Sequence, residues 1–155
     1  MTNKPKKKGT AFETACVKWL RHRLDDDRID RRALSGSHDM GDLYGIWAHG
    51  LRGIAECKDY ADWGDANLAK WQHETIREKG NADADFALLI VHRSGCGESR
   101  FGRNHCFMTI GDVLRASGNG GAALTSVDVG TRATWVCMTL DDACRLIEGS
   151  QVEQD

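Results

Sequence analysis

Glu56 and Lys58 stand two residues apart in the run Ile54-Ala55-Glu56-Cys57-Lys58. On a strand, side chains alternate between faces with period two, so both point one way and Ala55 and Cys57 point the other. A carboxylate and an ammonium held side by side at a strand end can bind a divalent cation and orient a water. Asp42 follows Gly41 at the start of the preceding predicted segment, residues 41–47. A hairpin about Ala48-His49-Gly50 would set Asp42 and Glu56 on neighbouring strands. Two carboxylates so placed can share Mg²⁺, with Mn²⁺ able to substitute, because these cations take hard oxygen ligands together with substrate phosphate. Glu13, at the edge of the apolar stripe of the first predicted helix, can supply a third carboxylate. An isolated E-x-K is a weak signal, since Glu and Lys alternate on many exposed strands. The ordered set of helical Glu, Gly-Asp and apolar-Glu-x-Lys is a stronger one.

The elements that must position these residues follow from periodicity. Residues 10–24 read as a helix, with Phe12, Ala15, Cys16, Trp19, Leu20 and Leu24 on one stripe. Thr10 followed by Glu13 fits a capping box. Residues 25–30 form a polar break, and short extended segments are expected at 32–34, 41–47 and 51–60. A second helix is expected over residues 65–79, stopped by Gly80 and Asn81. The continuous apolar run 86–92 fits a buried central strand. A glycine- and arginine-rich loop (94–105), a strand (106–110), a short helix (112–116) and a turn (118–121) come next. A last strand (134–139) leads to a helix capped by Thr139 and Asp142 and ending near Gly149. This order predicts an α/β domain with one central mixed sheet flanked by helices. The expected organisation is a basic arm (1–9), a single domain (10–149) and a short tail (150–155).

Composition narrows the function class. The chain has 155 residues, 41% hydrophobic and 28% charged, as expected of one globular domain. No apolar run approaches the roughly 20 residues that span a bilayer, so no membrane partner is expected. The basic start has no apolar stretch after it, which argues against a secretory signal. Six cysteines lie without C-x-x-C pairs or framework spacing, as in a reducing cytoplasmic compartment. Residues 1–32 carry ten basic and five acidic side chains, a net of +5 in a chain of net −2. A basic end on an acidic body suits contact with a polyanion, or serves solubility alone.

Three blocks then make the sequence resemble the archaeal-type Holliday-junction resolvases of the PD-(D/E)xK, restriction-endonuclease-like superfamily. The first is Lys7-Lys8-Gly9-Thr10-Ala11-Phe12-Glu13, matching the family's opening K-G-x-x-x-E. The second is Ser35-Gly36-Ser37 ahead of Gly41-Asp42, where the family has a Ser-Gly-Ser loop before its metal-binding Asp. The third is the E-x-K of Glu56 and Lys58. Gly41 stands where the family usually has proline. The resemblance covers about residues 4–92. It implies Glu13, Asp42, Glu56, Lys58 and Ser35 as catalytic residues, with Asp42, Glu56 and Glu13 toward the metal. It also implies a polar residue on the helix after E-x-K, for which Lys70 and Gln72 are both candidates. Candidate DNA contacts are Lys6, Lys7, Lys8, Arg31, Arg32, Ser37 and Lys70. The implied activity is Mg²⁺-dependent cleavage of branched DNA, in particular four-way junctions, by a homodimer making paired nicks. Another repair nuclease of the same superfamily, a nickase or exonuclease, is the near alternative. A DNA-binding protein with a vestigial site is the alternative from another class.

Other features have ordinary explanations. Ser35, Ser37 and His38 suit a plain turn. His92, Cys96, His105 and Cys106 lack the spacing of a structural zinc site. Arg93, Arg100 and Arg103 could touch a DNA backbone or simply line a surface loop. Trp47, Trp63 and Trp71 suit core packing or a dimer interface better than base stacking.

Overall fold

The fold was analysed in a computed structural model that describes residues 4–33, 38–119 and 133–149. It begins with helix α1 (Lys4–Leu24), which buries Phe12, Cys16, Val17 and Leu20. The helix starts six residues before the expected cap at Thr10. Pro5 sits in the first turn, where its missing N–H costs no hydrogen bond, and the lysines after it favour helix. Thr10 is therefore interior, its carbonyl accepting from Thr14 Oγ1 at 2.9 Å, and residues 4–9 are the helix's own first turns rather than an arm.

Strand β1 (Asp30–Arg31) lies earlier than the expected 32–34 segment, because the chain is anchored by the fully buried Ile29 within the polar break. Strands β2 (Leu43–Ala48) and β3 (Leu51–Lys58) form the expected hairpin. Both loop residues, His49 and Gly50, have positive φ (53° and 78°), the conformation of a two-residue turn that matches strand twist. Helix α2 (Asp65–Asn81) then crosses to β4 (Phe86–Val91), which pairs parallel with β3. The helix runs through Gly80 and Asn81, and the chain turns left-handed at Asp83 (φ 49°) instead. A 3₁₀ helix (Glu98–Arg103) occupies part of the expected loop. Strand β5 (His105–Thr109), helix α3 (Ile110–Ala116), strand β6 (Trp135–Thr139) and helix α4 (Leu140–Glu148) complete the order. Thr139 caps α4 as expected, its hydroxyl accepting from the Asp142 N–H at 3.1 Å.

The strands line up in sequence order, β1-β2-β3-β4-β5-β6, antiparallel except for the β3–β4 pair. The protein is thus an α/β domain built on a six-stranded mixed sheet flanked by helices. Helices α1, α3 and α4 cover one face, where Cys16, Leu20, Ala116 and Leu140 pack on Leu88, Ile90, Cys106 and Met108. Helix α2 covers the other, with Trp71 against Leu89, Val91 and Phe107. All six residues of β4 are buried, as its unbroken apolar run requires. Trp71 is buried within its own chain, the core-packing alternative of the sequence reading, and half-buried Trp63 packs on Trp71, His105 and Phe107. Among the described residues no helix is long and apolar enough to cross a membrane.

Candidate active site

Strand β3 alternates as expected. Ala55 and Cys57 join the core under α1, while Glu56 and Lys58 face α2. Lys58 Nζ lies 2.8 Å from Glu56 Oε1 and donates to Glu74 Oε2 of α2 at 2.9 Å. Asp42, one residue before β2, is tied to β3 twice. Its N–H donates to the Ala55 carbonyl at 3.0 Å, and its Oδ2 accepts from the Cys57 N–H at 2.8 Å. Gly41 has φ of +89°, with Ile54 packed against it. A proline, held near −65°, could not adopt that turn, which accounts for glycine where the resemblance has proline.

Helix α2 brings a further carboxylate that the sequence reading missed. Glu78 is 2% exposed and lies against Glu56. Oxygens of Asp39, Glu56 and Glu78 fall within 4.8 Å of one another. Trp71, Thr75 and Glu78 share the buried stripe of α2 at i, i+4 and i+7. A glutamate on an apolar stripe was the signal in the sequence, because a charge is placed there only with a partner or a purpose. Glu74, four residues before Glu78, holds the other side of the Lys58 ammonium.

The charge balance of this cluster is unusual. Glu56 Oε2 and Glu78 Oε2 are buried and have no hydrogen-bond donor among the described residues. Burial raises the Glu56 carboxyl to about 8, with Glu78 adding to the shift and Lys58 opposing it. Asp42 is also raised to about 8, by burial first and then by the Glu56 charge, while the Cys57 N–H opposes. Burial raises Glu78 to about 7, and its contact with Glu56 partly offsets this. The ammonium of Lys58 is penalised by burial, yet Glu56 and Glu74 outweigh the penalty and hold it above its ordinary value. One ammonium therefore serves several carboxylates. A proton shared between Glu56 and Glu78, or a cation, is needed to satisfy both orphaned oxygens.

Glu13 is near enough for its charge to act on Asp42, but its Oε2 accepts from Arg31 Nε at 3.0 Å and lies 2.9 Å from Arg31 Nη2. Arg31 is thus committed to Glu13. Lys70 is exposed, with Nζ 3.9 Å from Glu74 Oε1, and Gln72 is half-buried on the same helix. Arg32 stacks over Tyr44, 5.1 Å from the ring centre. Ser35 and Ser37, and the side chains of Lys6, Lys7 and Lys8, lie outside the described residues. His92 pairs with Asp59 at 2.7 Å, His105 packs on Trp63, and Cys106 sits in the core on the opposite face of β5. A groove of about 1000 Å³ opens between α1 and residues 92–101 and holds none of the clustered carboxylates.

No family model, no curated protein and no solved structure matches this chain. The chemistry of the site therefore rests on its own geometry. Hard carboxylate oxygens in excess, two of them without donors, beside a protonated lysine, fit a divalent cation such as Mg²⁺ or Mn²⁺.

Proposed function

We propose that the chain is a divalent-metal-dependent endodeoxyribonuclease that cuts branched DNA, with Asp42, Glu56, Glu78 and Lys58 at its centre. The observation that carries this reading is the pair of buried, donor-free oxygens on Glu56 and Glu78 beside Asp42 and the Lys58 ammonium. Glu56 and Glu78 would hold Mg²⁺ together with Asp39 or Asp42, which flank them, with Glu13 at the margin. When bound, the cation supplies Lewis-acid polarisation of the phosphoryl oxygen and a lowered pKa for water. Lys58 stays protonated at neutral pH, since Glu56 and Glu74 raise it. It therefore acts as a hydrogen-bond donor and positive charge toward the attacking water or the scissile phosphate, not as a base. Glu74 positions the Lys58 ammonium from the α2 side, and the Cys57 N–H fixes the Asp42 carboxylate.

The resemblance to archaeal-type Holliday-junction resolvases supports the finer reading. That reading is a homodimer that resolves four-way junctions by paired nicks, in the cytoplasm, where the six free thiols would stay reduced. A two-fold dimer would match the two equivalent strands of a junction, and each copy carries a single carboxylate–lysine set. The test is cleavage in Mg²⁺ of an end-labelled four-way junction, a flap and a linear duplex, with light scattering for mass. Symmetric nicks by a dimer are expected. Mononucleotides released from duplex ends would point to an exonuclease, and a lack of cleavage on every substrate would defeat the nuclease reading.

A further inference from the structure

The outer surface of β2 has a composition that the acidic site does not explain. Leu43 pairs with Ala55 and Ile46 with Gly53, so three steps along β2 answer two along β3. The extra residue is a β-bulge, and Gly45 in it has φ of +82°, with the Arg28 carbonyl 2.2 Å from where a Cβ would stand. Without the bulge, Tyr44 and Trp47 would lie on opposite faces, being three residues apart. With it, Leu43 and Ile46 both turn into the core, and Tyr44 and Trp47 both turn out, 41% and 39% exposed. Arginines surround the two rings. Arg32 stacks on Tyr44 and Arg28 on Trp47, at 5.1 and 5.6 Å from the ring centres, and Arg52 is the cross-strand partner of Trp47. A cavity of about 310 Å³ lies among them over Ile54.

The three cations differ in how they are satisfied. Arg28 is held by Asp26 at 2.7 Å. Arg52 donates to the Asp83 carbonyl at 2.8 Å, with the Asp83 carboxylate at 3.7 Å. Among the described residues Arg32 has no carboxylate partner, and its buried Nε has no acceptor. A guanidinium without a carboxylate partner among the described residues, beside two exposed aromatic rings, suits a ligand with both acceptors and flat faces.

We infer that this Arg–aromatic surface binds an unpaired DNA strand, with bases stacking on Tyr44 and Trp47 and a phosphate or base oxygen accepting from Arg32. Ile54 precedes Glu56 by one full alternation on the same face of β3, so the surface and the acidic cluster share one side of the sheet. A strand unpaired at a branch point can occupy the first while its flanking duplex meets the second. The choice of DNA rests on the nuclease reading, but the binding surface does not require cleavage. Stacking of this kind tolerates any base sequence and does not serve a fully paired duplex, whose faces are already stacked.

The test is fluorescence anisotropy in EDTA, which removes cleavage from the readout. The probes are a labelled oligothymidine of about 12 nucleotides, within the length that such surfaces cover, and a blunt duplex of equal length. Trp47→Ala and Tyr44→Ala are each expected to weaken oligothymidine binding roughly tenfold, while Trp47→Phe keeps most of it. Arg32→Gln is expected to weaken it too, and duplex binding should change little in all four variants. Thermal melts confirm folding, and Tyr44→Ala and Arg32→Gln carry the test if Trp47→Ala does not fold. The inference is overturned if the wild type does not bind the oligothymidine. It is equally overturned if the folded variants bind as the wild type does, or if the variants lose duplex and single-strand binding alike. Loss of dimer mass in Trp47→Ala without any single-strand binding would instead assign the surface to a second copy of the chain. Failure of the nuclease reading would show separately, as absent cleavage in Mg²⁺ with single-strand binding intact.

Discussion

Two buried charge clusters border helix α2, and they are built on opposite principles. Lys58 and Lys79 have equally buried side chains, each 17% exposed. Lys79 and Arg115 both donate to one oxygen of Asp112, at 3.0 and 2.9 Å. The other oxygen of Asp112 accepts from the Ala87 N–H at 3.0 Å, so both oxygens have donors. Burial still raises the Asp112 carboxyl, but the Lys79 charge and hydrogen bond, the Ala87 N–H and the Arg115 charge all oppose that shift. At Lys58 the ratio is reversed. One ammonium lies among Glu56 and Glu74, with Glu78 and Asp42 close behind, and two oxygens are left without donors. The first cluster is complete as folded and joins α2, β4 and α3. The second is incomplete without a further positive charge. Burial of charge alone does not mark function; an imbalance that the fold leaves uncorrected does.

The largest expected effect breaks the second cluster chemically. Asp42→Asn and Glu56→Gln should each lower Mg²⁺-dependent cleavage by more than about a hundredfold, since even residues that only support metal ligands cost 10–100-fold. Neither change should lower metal-free stability. In Glu56→Gln the new amide can donate to the orphaned Glu78 Oε2, worth up to about 1 kcal/mol. Cleavage at wild-type rates by a purified, folded variant would remove these residues from the site. Lys58→Met should lose cleavage as well, because among the described residues Lys58 is the cation that lies against Glu56.

The next effect falls on the first cluster and is structural. Asp112→Asn leaves the buried Lys79 ammonium against a neutral amide. Breaking a buried ion pair on one side costs about 3 kcal/mol or more. Urea unfolding should report that loss, with cleavage per folded molecule unchanged. If Asp112→Asn instead spared stability and reduced cleavage, the contrast between the clusters would be wrong.

Much of the fold was legible because it depends on local pattern. The β2–β3 hairpin, the buried β4 and the Thr139 cap each follow from a few adjacent residues. Glu56 and Lys58 were legible for the same reason, since alternation sets their shared face. Glu78 was not singled out, because its role depends on α2 crossing over β3 to a parallel partner, a contact between residues 56 and 78 that no local pattern encodes. The Gly45 bulge was hidden for a related cause. Only the register of β2 against β3 reveals that Tyr44 and Trp47 share a face, so Trp47 read as core or interface. The early start of α1 escaped because Thr10 and Glu13 imitate a cap that Pro5 makes unnecessary.

The smallest effect, per unit of pH, separates the two clusters without cleavage or DNA. Asp42 and Glu56 are raised from 3.8 and 4.5 in the unfolded chain to about 8 when folded. Groups raised on folding bind protons more tightly in the native state. Their contribution to stability is fully present below the unfolded values and is lost as pH rises through the folded ones. Metal-free protein should therefore lose stability from about pH 5 to about pH 8.5, at up to about 1.4 kcal/mol per pH unit for each proton released. Millimolar Mg²⁺ competes with those protons, so its stabilisation should be small at pH 5.5 and larger at pH 8.5. The Glu56→Gln variant removes one titrating partner and should flatten the slope, whereas Lys79→Met removes the largest charge opposing burial at Asp112, raises that carboxyl further and should steepen it. Thermal melts in EDTA and in Mg²⁺ across this range decide it. A flat metal-free profile, or an Mg²⁺ shift equal at both ends, would mean that Glu56 and Asp42 are already ionised and balanced, and the imbalance on which the metal site rests would not exist.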